Sequence, residues 1–266
     1  MKMALEINSI IVLNPIICLH SLLHMNIKEH YDIHLGNFYS WMVGDFADGQ
    51  QSQQEYLNNH YIIPNSTGVA LDLGAGHGLQ SVSLAKIGFK VYAIDFNLQL
   101  LGELRQNSMH LPVEVIEGDL RSVADYKPLN PEVIICAGDT LSHLENTEEI
   151  EQLIADCAVT LYNKGKLILS FRDYNNALTG DKRFIPVKSD AHRILTCCLD
   201  YTDNRVLVTD LLHTQTASGW QQTVSSYYKT RILPDKIVAL LERQGFNILY
   251  NEPINRMIHI IAQKQS

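Results

Sequence analysis

The sequence predicts an α/β fold, a mostly parallel sheet with helices on both faces, and three observations carry that prediction. Short apolar runs alternate with amphipathic stretches between residues 69 and 171, the βαβ rhythm that sets parallel strands side by side. Acids fall at or near the ends of four successive runs, at Asp72, Asp95, Asp119 and Asp139, along the edge where open α/β sheets collect ligands. The first run passes directly into glycines at 74, 76 and 78 and then into a helical stretch. Such a turn lets backbone N–H groups approach a ligand that side chains would exclude.

Along the chain, residues 1–24 are expected to form an extension outside the core. Residues 10–23 are apolar but hold Asn14, Pro15 and His20, lack a small-residue cleavage site, and are too short and interrupted to span a bilayer. Met25 and the segment after it read as an ordinary cytosolic start. Residues 25–60 are aromatic and helical in flavour and are expected to form a cap, closing in a polar run at 50–54. Pro64 leads into a turn at 65–68. Strands are then expected at 69–73, 90–94, 113–117, 133–137 and 166–171, with helices at 79–87, 98–107 and 147–162, the last closed by Asn163 and Gly165. Beyond Arg172 the rhythm breaks. Residues 193–201, 206–214 and 223–232 are β-rich and joined by turn residues, an antiparallel insertion spanning about 190–232. A helix at 234–244 and a strand pair at 246–250 and 257–262 close a domain that spans 61–266.

Bulk composition narrows the partners. A net charge of −8 repels phosphate backbones, and no basic cluster offsets it, so nucleic acid is not expected. The cysteines at 18, 136, 157, 197 and 198 make no CxxC pair, which fits a reducing cytoplasm. No membrane span is expected. His30 and His34 share an i,i+4 spacing but lack a third ligand, so no metal is expected.

The acid two residues before the first glycine narrows the ligand. A loop built for a pyrophosphate prefers no carboxylate there, whereas a ligand with an ammonium group favours one. The ligand indicated is a nucleoside with a zwitterionic tail. With Asp72, Gly74, Gly76 and Gly78 matching an acid-x-Gly-x-Gly-x-Gly fingerprint, and with acids ending the next two strands, the chain resembles the class I S-adenosylmethionine-dependent methyltransferases over about residues 67–171. The helix, Gly245-Phe246 and final strand pair are similar to that family's ending.

The resemblance implies a Rossmann-like seven-stranded sheet, S-adenosylmethionine as cofactor, and a small-molecule acceptor methylated at oxygen or nitrogen. It implies that Gly74, Ala75 and Gly76 lie against the methionine part and that Asp72 reaches its ammonium. Asp95 would hold the ribose hydroxyls in a bidentate way. Phe96 would flank the adenine, and Asp119 with Leu120 would meet its edge. Ala137 and Asp139 would lie beside the sulfonium, a cation that aromatic faces stabilise by roughly 0.5–2 kcal/mol when desolvated. Tyr31, Tyr39 and Trp41 of the cap are the candidate faces, with core packing as their plainer role. His143 is the candidate base, or else a histidine that merely precedes the helix. Arg172 and Tyr174, at the end of the fifth strand, are candidate acceptor contacts. Arg172 can grip a carboxylate or pair with a neighbouring aspartate. Two rival readings stand beside this one: a non-catalytic protein that keeps the cofactor fold, and a nicotinamide-dependent oxidoreductase whose ribose Asp95 would hold. A monomer or homodimer suits all three.

Overall fold

A computed structural model describes residues 25–265; the expected extension at 1–24 lies outside the described residues. The cap consists of α1 (Ile27–Ile33), α2 (Tyr39–Val43) and α3 (Phe46–Asn59). A reciprocal capping box starts α1, with the Asn26 side chain accepting from the Glu29 N–H and the Glu29 carboxylate from the Asn26 N–H. Asp45 caps α3 by accepting from the N–H groups of Ala47 and Asp48.

The main sheet is built from β1 (Val69–Leu73), β2 (Lys90–Asp95), β3 (Val113–Glu117), β4 (Val133–Cys136), β5 (Lys166–Arg172) and, at the chain's end, β10 (Phe246–Ile254) and β11 (Met257–Lys264). Its order is β10-β11-β5-β4-β1-β2-β3. Strands β1 to β5 run parallel, and β11 lies antiparallel between β5 and β10. The chain starts at the centre, moves out to β3, and returns to place β4 on the other side of β1. That reversal leaves a crevice at the strand ends, where a ligand site forms in this architecture.

Helices α4 (Leu79–Ile87), α5 (Leu98–Asn107), α6 (Thr147–Thr160) and α7 (Pro234–Arg243) fill the connections. Successive residues of β4 show why these strands read as continuous apolar runs. Ile134 packs into the core under α6 and α7, while Val133 and Ile135 pack with Leu57 of α3 and Leu84 of α4. Both faces are covered, so the period-2 signal disappears.

A second, antiparallel sheet has the order β6-β7-β8-β9, from β6 (Phe184–Ser189), β7 (Arg193–Tyr201), β8 (Arg205–Thr216) and β9 (Gly219–Thr230). The insertion therefore has four strands rather than three and begins at 184 rather than about 190. Strand β6 lies at the edge and carries Pro186, and its register breaks between Pro186 and Lys188; a proline edge strand lacks clean alternation. The closing pair is also longer than expected. Asn255 and Arg256 both take positive φ, 49° and 65°, which makes a two-residue turn whose twist suits a tight hairpin. Short 3-10 segments at Leu120–Leu129 and Thr140–His143 were not anticipated.

Candidate active site

A cavity of about 330 Å³ lies at the carboxyl ends of β1, β2 and β4, closed in by residues of the cap and of β9. Its first wall is the glycine loop. The N–H groups of Gly74 and Ala75 both donate to the Ile94 carbonyl, at 2.9 and 3.0 Å, which ties the loop to the end of β2. Gly74 has φ +74°, and a Cβ there would come within 2.3 Å of the Thr140 methyl, so no side chain fits. At Gly76 (φ +54°) the nearest atoms to such a Cβ belong to Tyr39, 3.9 Å away. The loop there presents bare backbone to the cavity.

Asp95 is held from both sides. Its Oδ2 accepts from the Gly76 N–H and its Oδ1 from the Asn97 N–H, both at 2.8 Å. Each oxygen keeps lone-pair capacity for a second donor. Burial pushes this carboxyl above its usual range, although the N–H groups of Asn97, Gly76 and Phe96 pull against that shift. Phe96 stands edge-on to Tyr31, ring centres 5.6 Å apart, and both line the cavity with Tyr39, Leu120 and Ala137.

Asp72 lies elsewhere. It sits inside β1, paired in register with Ala93 and Ile135, and its carboxylate accepts from the Ser81 hydroxyl at 2.6 Å behind the loop. It does not line the cavity. Burial pushes its carboxyl up to about 7, with Ser81 opposing and Asp95 reinforcing the shift. The folded state thus binds this proton more tightly than an unfolded chain with an ordinary value of 3.8. Asp72 contributes stability fully below that value and loses it as pH rises toward about 7. Asp72→Asn is expected to remove this dependence, so that its stability relative to the parent rises between pH 5 and pH 8. Parallel urea midpoints for the two chains across that interval would contradict the assignment.

Another wall centres on Asp139, which is buried and adopts a left-handed backbone, φ 72°. Its Oδ1 accepts from the Arg172 N–H at 2.9 Å; its Oδ2 accepts from the Tyr174 hydroxyl at 3.0 Å and the Lys229 ammonium at 2.5 Å. Burial would raise its carboxyl, but Lys229, the Arg172 N–H and His143 outweigh burial and hold it below the usual range. Nearby, His143 Nε2 makes a long 3.5 Å contact with the Tyr31 hydroxyl, and its Nδ1 is buried without a hydrogen bond. Burial, reinforced by Lys229, holds the imidazole well below 6.5, so it is neutral at physiological pH.

Among the expected site residues, Tyr31, Tyr39, Gly74, Ala75, Gly76, Asp95, Phe96, Leu120, Ala137, Asp139, His143 and Arg172 come together around the one cavity. Asp119, Trp41 and Tyr174 do not line it. Asp119 caps the 3-10 segment after it and pairs with Arg121. Trp41 stacks on Arg193, 4.4 Å from the guanidinium carbon, and donates to Asp190 at 2.6 Å. Tyr174 lies behind Asp139. Tyr227 and Lys229 of β9 line the cavity and were missed. One signal was present: Ser225, Tyr227 and Lys229 alternate on the inward face of β9, and a lysine on an inward face is rarely filler.

His30, expected to be no metal ligand, contacts Ser225 at 2.8 Å and Asp210 at 3.4 Å. Among the described residues no three His, Cys, Asp or Glu side chains converge as a metal would need. No helix among them is long and apolar enough to cross a membrane.

Comparison with known proteins finds methyltransferases. Residues 70–165 match the family model of a methyltransferase domain. The glycine/sarcosine N-methyltransferase of Aphanothece halophytica is 27% identical over 107 residues, 40% of each chain. The cypemycin N-terminal methyltransferase of a Streptomyces species is 28% identical over 222 residues, 79% of this chain and 88% of that one. The match to the first of these thus spans about two fifths of that relative's length. The CcbJ methyltransferase of Streptomyces caelestis shares the fold at a TM-score of 0.73, with 14% identity over 90% of this chain and 99% of that one.

Proposed function

We propose that this chain, a member of the class I S-adenosylmethionine-dependent methyltransferases, moves a methyl group from that cofactor to an oxygen or nitrogen of a small-molecule acceptor. The observation that carries the reading is Asp95. Its carboxylate is fixed by two backbone N–H groups at the rim of a bare glycine loop, with lone pairs left over for a vicinal diol. The tight loop at Gly74 and open backbone at Gly76 suit a ligand lying flat against the chain. S-adenosylmethionine supplies, when bound, a methyl carbon on a positively charged sulfur.

The chain's own part is alignment, exclusion of water and handling of one proton. Positioning alone can be worth on the order of 7–11 kcal/mol in such displacements. Tyr31 and Tyr39 bring aromatic faces to the cavity from the cap, a favourable setting for a cation. His143, neutral and with a ring the fold leaves almost unclaimed, is the group we assign to receive the acceptor's proton. The cap at 25–60, the domain at 61–266 and the β insertion then divide the work: the domain binds the nucleoside, and the cap and insertion enclose the acceptor. The unpatterned cysteines support a cytoplasmic setting, and the architecture suits a monomer or homodimer.

Calorimetry with S-adenosylmethionine, S-adenosylhomocysteine and NAD tests the reading: the first two should bind and the third should not. With an acceptor in hand, His143→Ala should slow turnover by about 10²-fold or more while leaving S-adenosylhomocysteine affinity unchanged. In the parent chain kcat should hold steady down to pH 6.5 and fall only below it, because the imidazole is held below that ordinary value. A variant that retains full rate across pH would return His143 to a structural role.

A further inference from the structure

One end of the cavity has more hydrogen-bond donors than the protein satisfies. Asp139 already accepts from three donors there: the Arg172 N–H, the Tyr174 hydroxyl and Lys229. Two of those are neutral; the third is a buried ammonium, the charged partner that offsets the burial of this carboxylate. Burying one costs desolvation that a single pair often fails to recover. The Lys229 side chain is nonetheless only 10% exposed. It has three N–H donors, and the bond to Asp139 is its one hydrogen bond among the described residues. Arg172 also lines the cavity, and its side chain is 47% exposed. Its nearest carboxylate oxygen is 4.0 Å away, on the same Asp139, and it makes no side-chain hydrogen bond among the described residues. Of the residues that line the cavity, these two cations face one carboxylate that already has partners; the other lining acid, Asp95, belongs to the opposite end, and the buried Asp210 nearby does not line it.

We propose that Lys229 and Arg172 form an oxyanion subsite and that the acceptor is a small carboxylic acid whose carboxylate binds between them. This rests on the methyl-transfer reading and deepens it. A carboxylate suits the pair because it presents two oxygens, one for each cation, in a single plane. Its size is limited too, since the cavity of about 330 Å³ must also take the nucleoside. Anchoring the acid here holds its nucleophilic atom in the same cavity as His143. Lys229 comes from β9, so the discriminating contact belongs to the insertion and not to the cofactor fold.

The test is titration of acetate into the full chain saturated with S-adenosylhomocysteine, with acetamide as the neutral isostere. Acetate should bind and acetamide should not. Lys229→Gln should weaken acetate by about 10-fold or more while S-adenosylhomocysteine affinity stays within about 2-fold. Lys229→Arg should retain acetate binding. The double variant Asp139→Asn/Lys229→Gln removes the buried pair but leaves the net charge of the site unchanged, so its loss of acetate reports the missing ammonium contact itself. It also serves if the single variant does not fold. Equal binding of acetate and acetamide, or acetate binding indifferent to Lys229 in the double variant, overturns the subsite and leaves the cofactor reading standing. Absence of S-adenosylhomocysteine binding in the parent chain overturns both.

Discussion

Asp139→Ala is expected to destabilise the folded chain by about 3–5 kcal/mol, because it leaves the Lys229 ammonium buried with no counter-charge. The same change strips acceptors from the Tyr174 hydroxyl and the Arg172 N–H. Both must then find water or stay unsatisfied. Since Lys229 borders the cavity, water can reach its ammonium, which draws the cost toward the lower end. Urea unfolding of the single variant measures the loss, and Asp139→Ala/Lys229→Met supplies the control. With both charges gone the double variant should recover most of the stability, since the expense lies in the orphaned ammonium and not in the missing aspartate. A double variant as unstable as the single one would show that Asp139 acts mainly through Tyr174 and the Arg172 backbone.

Asp95→Ala should weaken S-adenosylhomocysteine binding by about 1.5–3 kcal/mol, the worth of charge-assisted hydrogen bonds to a diol. Stability should respond differently. Burial already holds this carboxyl above its usual range, so the folded chain is disposed against the charge at this position. Removing it relieves a desolvation penalty while freeing the Gly76 and Asn97 N–H groups. The expected outcome is a large loss of affinity with a melting temperature little changed, checked by calorimetry and thermal unfolding of the same preparation. A folded variant with parental affinity would detach Asp95 from the ligand.

The core was legible in the sequence because its signals are local. Apolar runs bounded by Gly-Asp or by an acid give β1 to β5, and the glycine loop marks where bare backbone borders the cavity. The cavity lining was legible where a residue ends a strand, as Asp95 and Arg172 do, or follows one closely, as Asp139 does. Asp72 differed because it still lies inside β1, where register with Ala93 and Ile135 fixes its side chain toward Ser81. Asp119 caps the next segment and pairs with Arg121, two residues on, and does not line the cavity. What could not be seen depends on contacts between distant segments. Trp41 meets Asp190 and Arg193 only because the insertion folds back onto the cap, and Lys229 reaches Asp139 across 90 positions of chain.

The second sheet leaves the main one after Arg172 and the chain rejoins the core at Pro234, yet no rung of the main ladder depends on it. Strand β5 is flanked by β4 and β11, and β11 by β5 and β10, without any help from β6 to β9. The excursion is thus a graft on a ladder that is complete without it. Substitutions within the second sheet can reshape the Lys229 side of the cavity without touching a hydrogen bond of that ladder, much as a tool accepts a new head on an old handle.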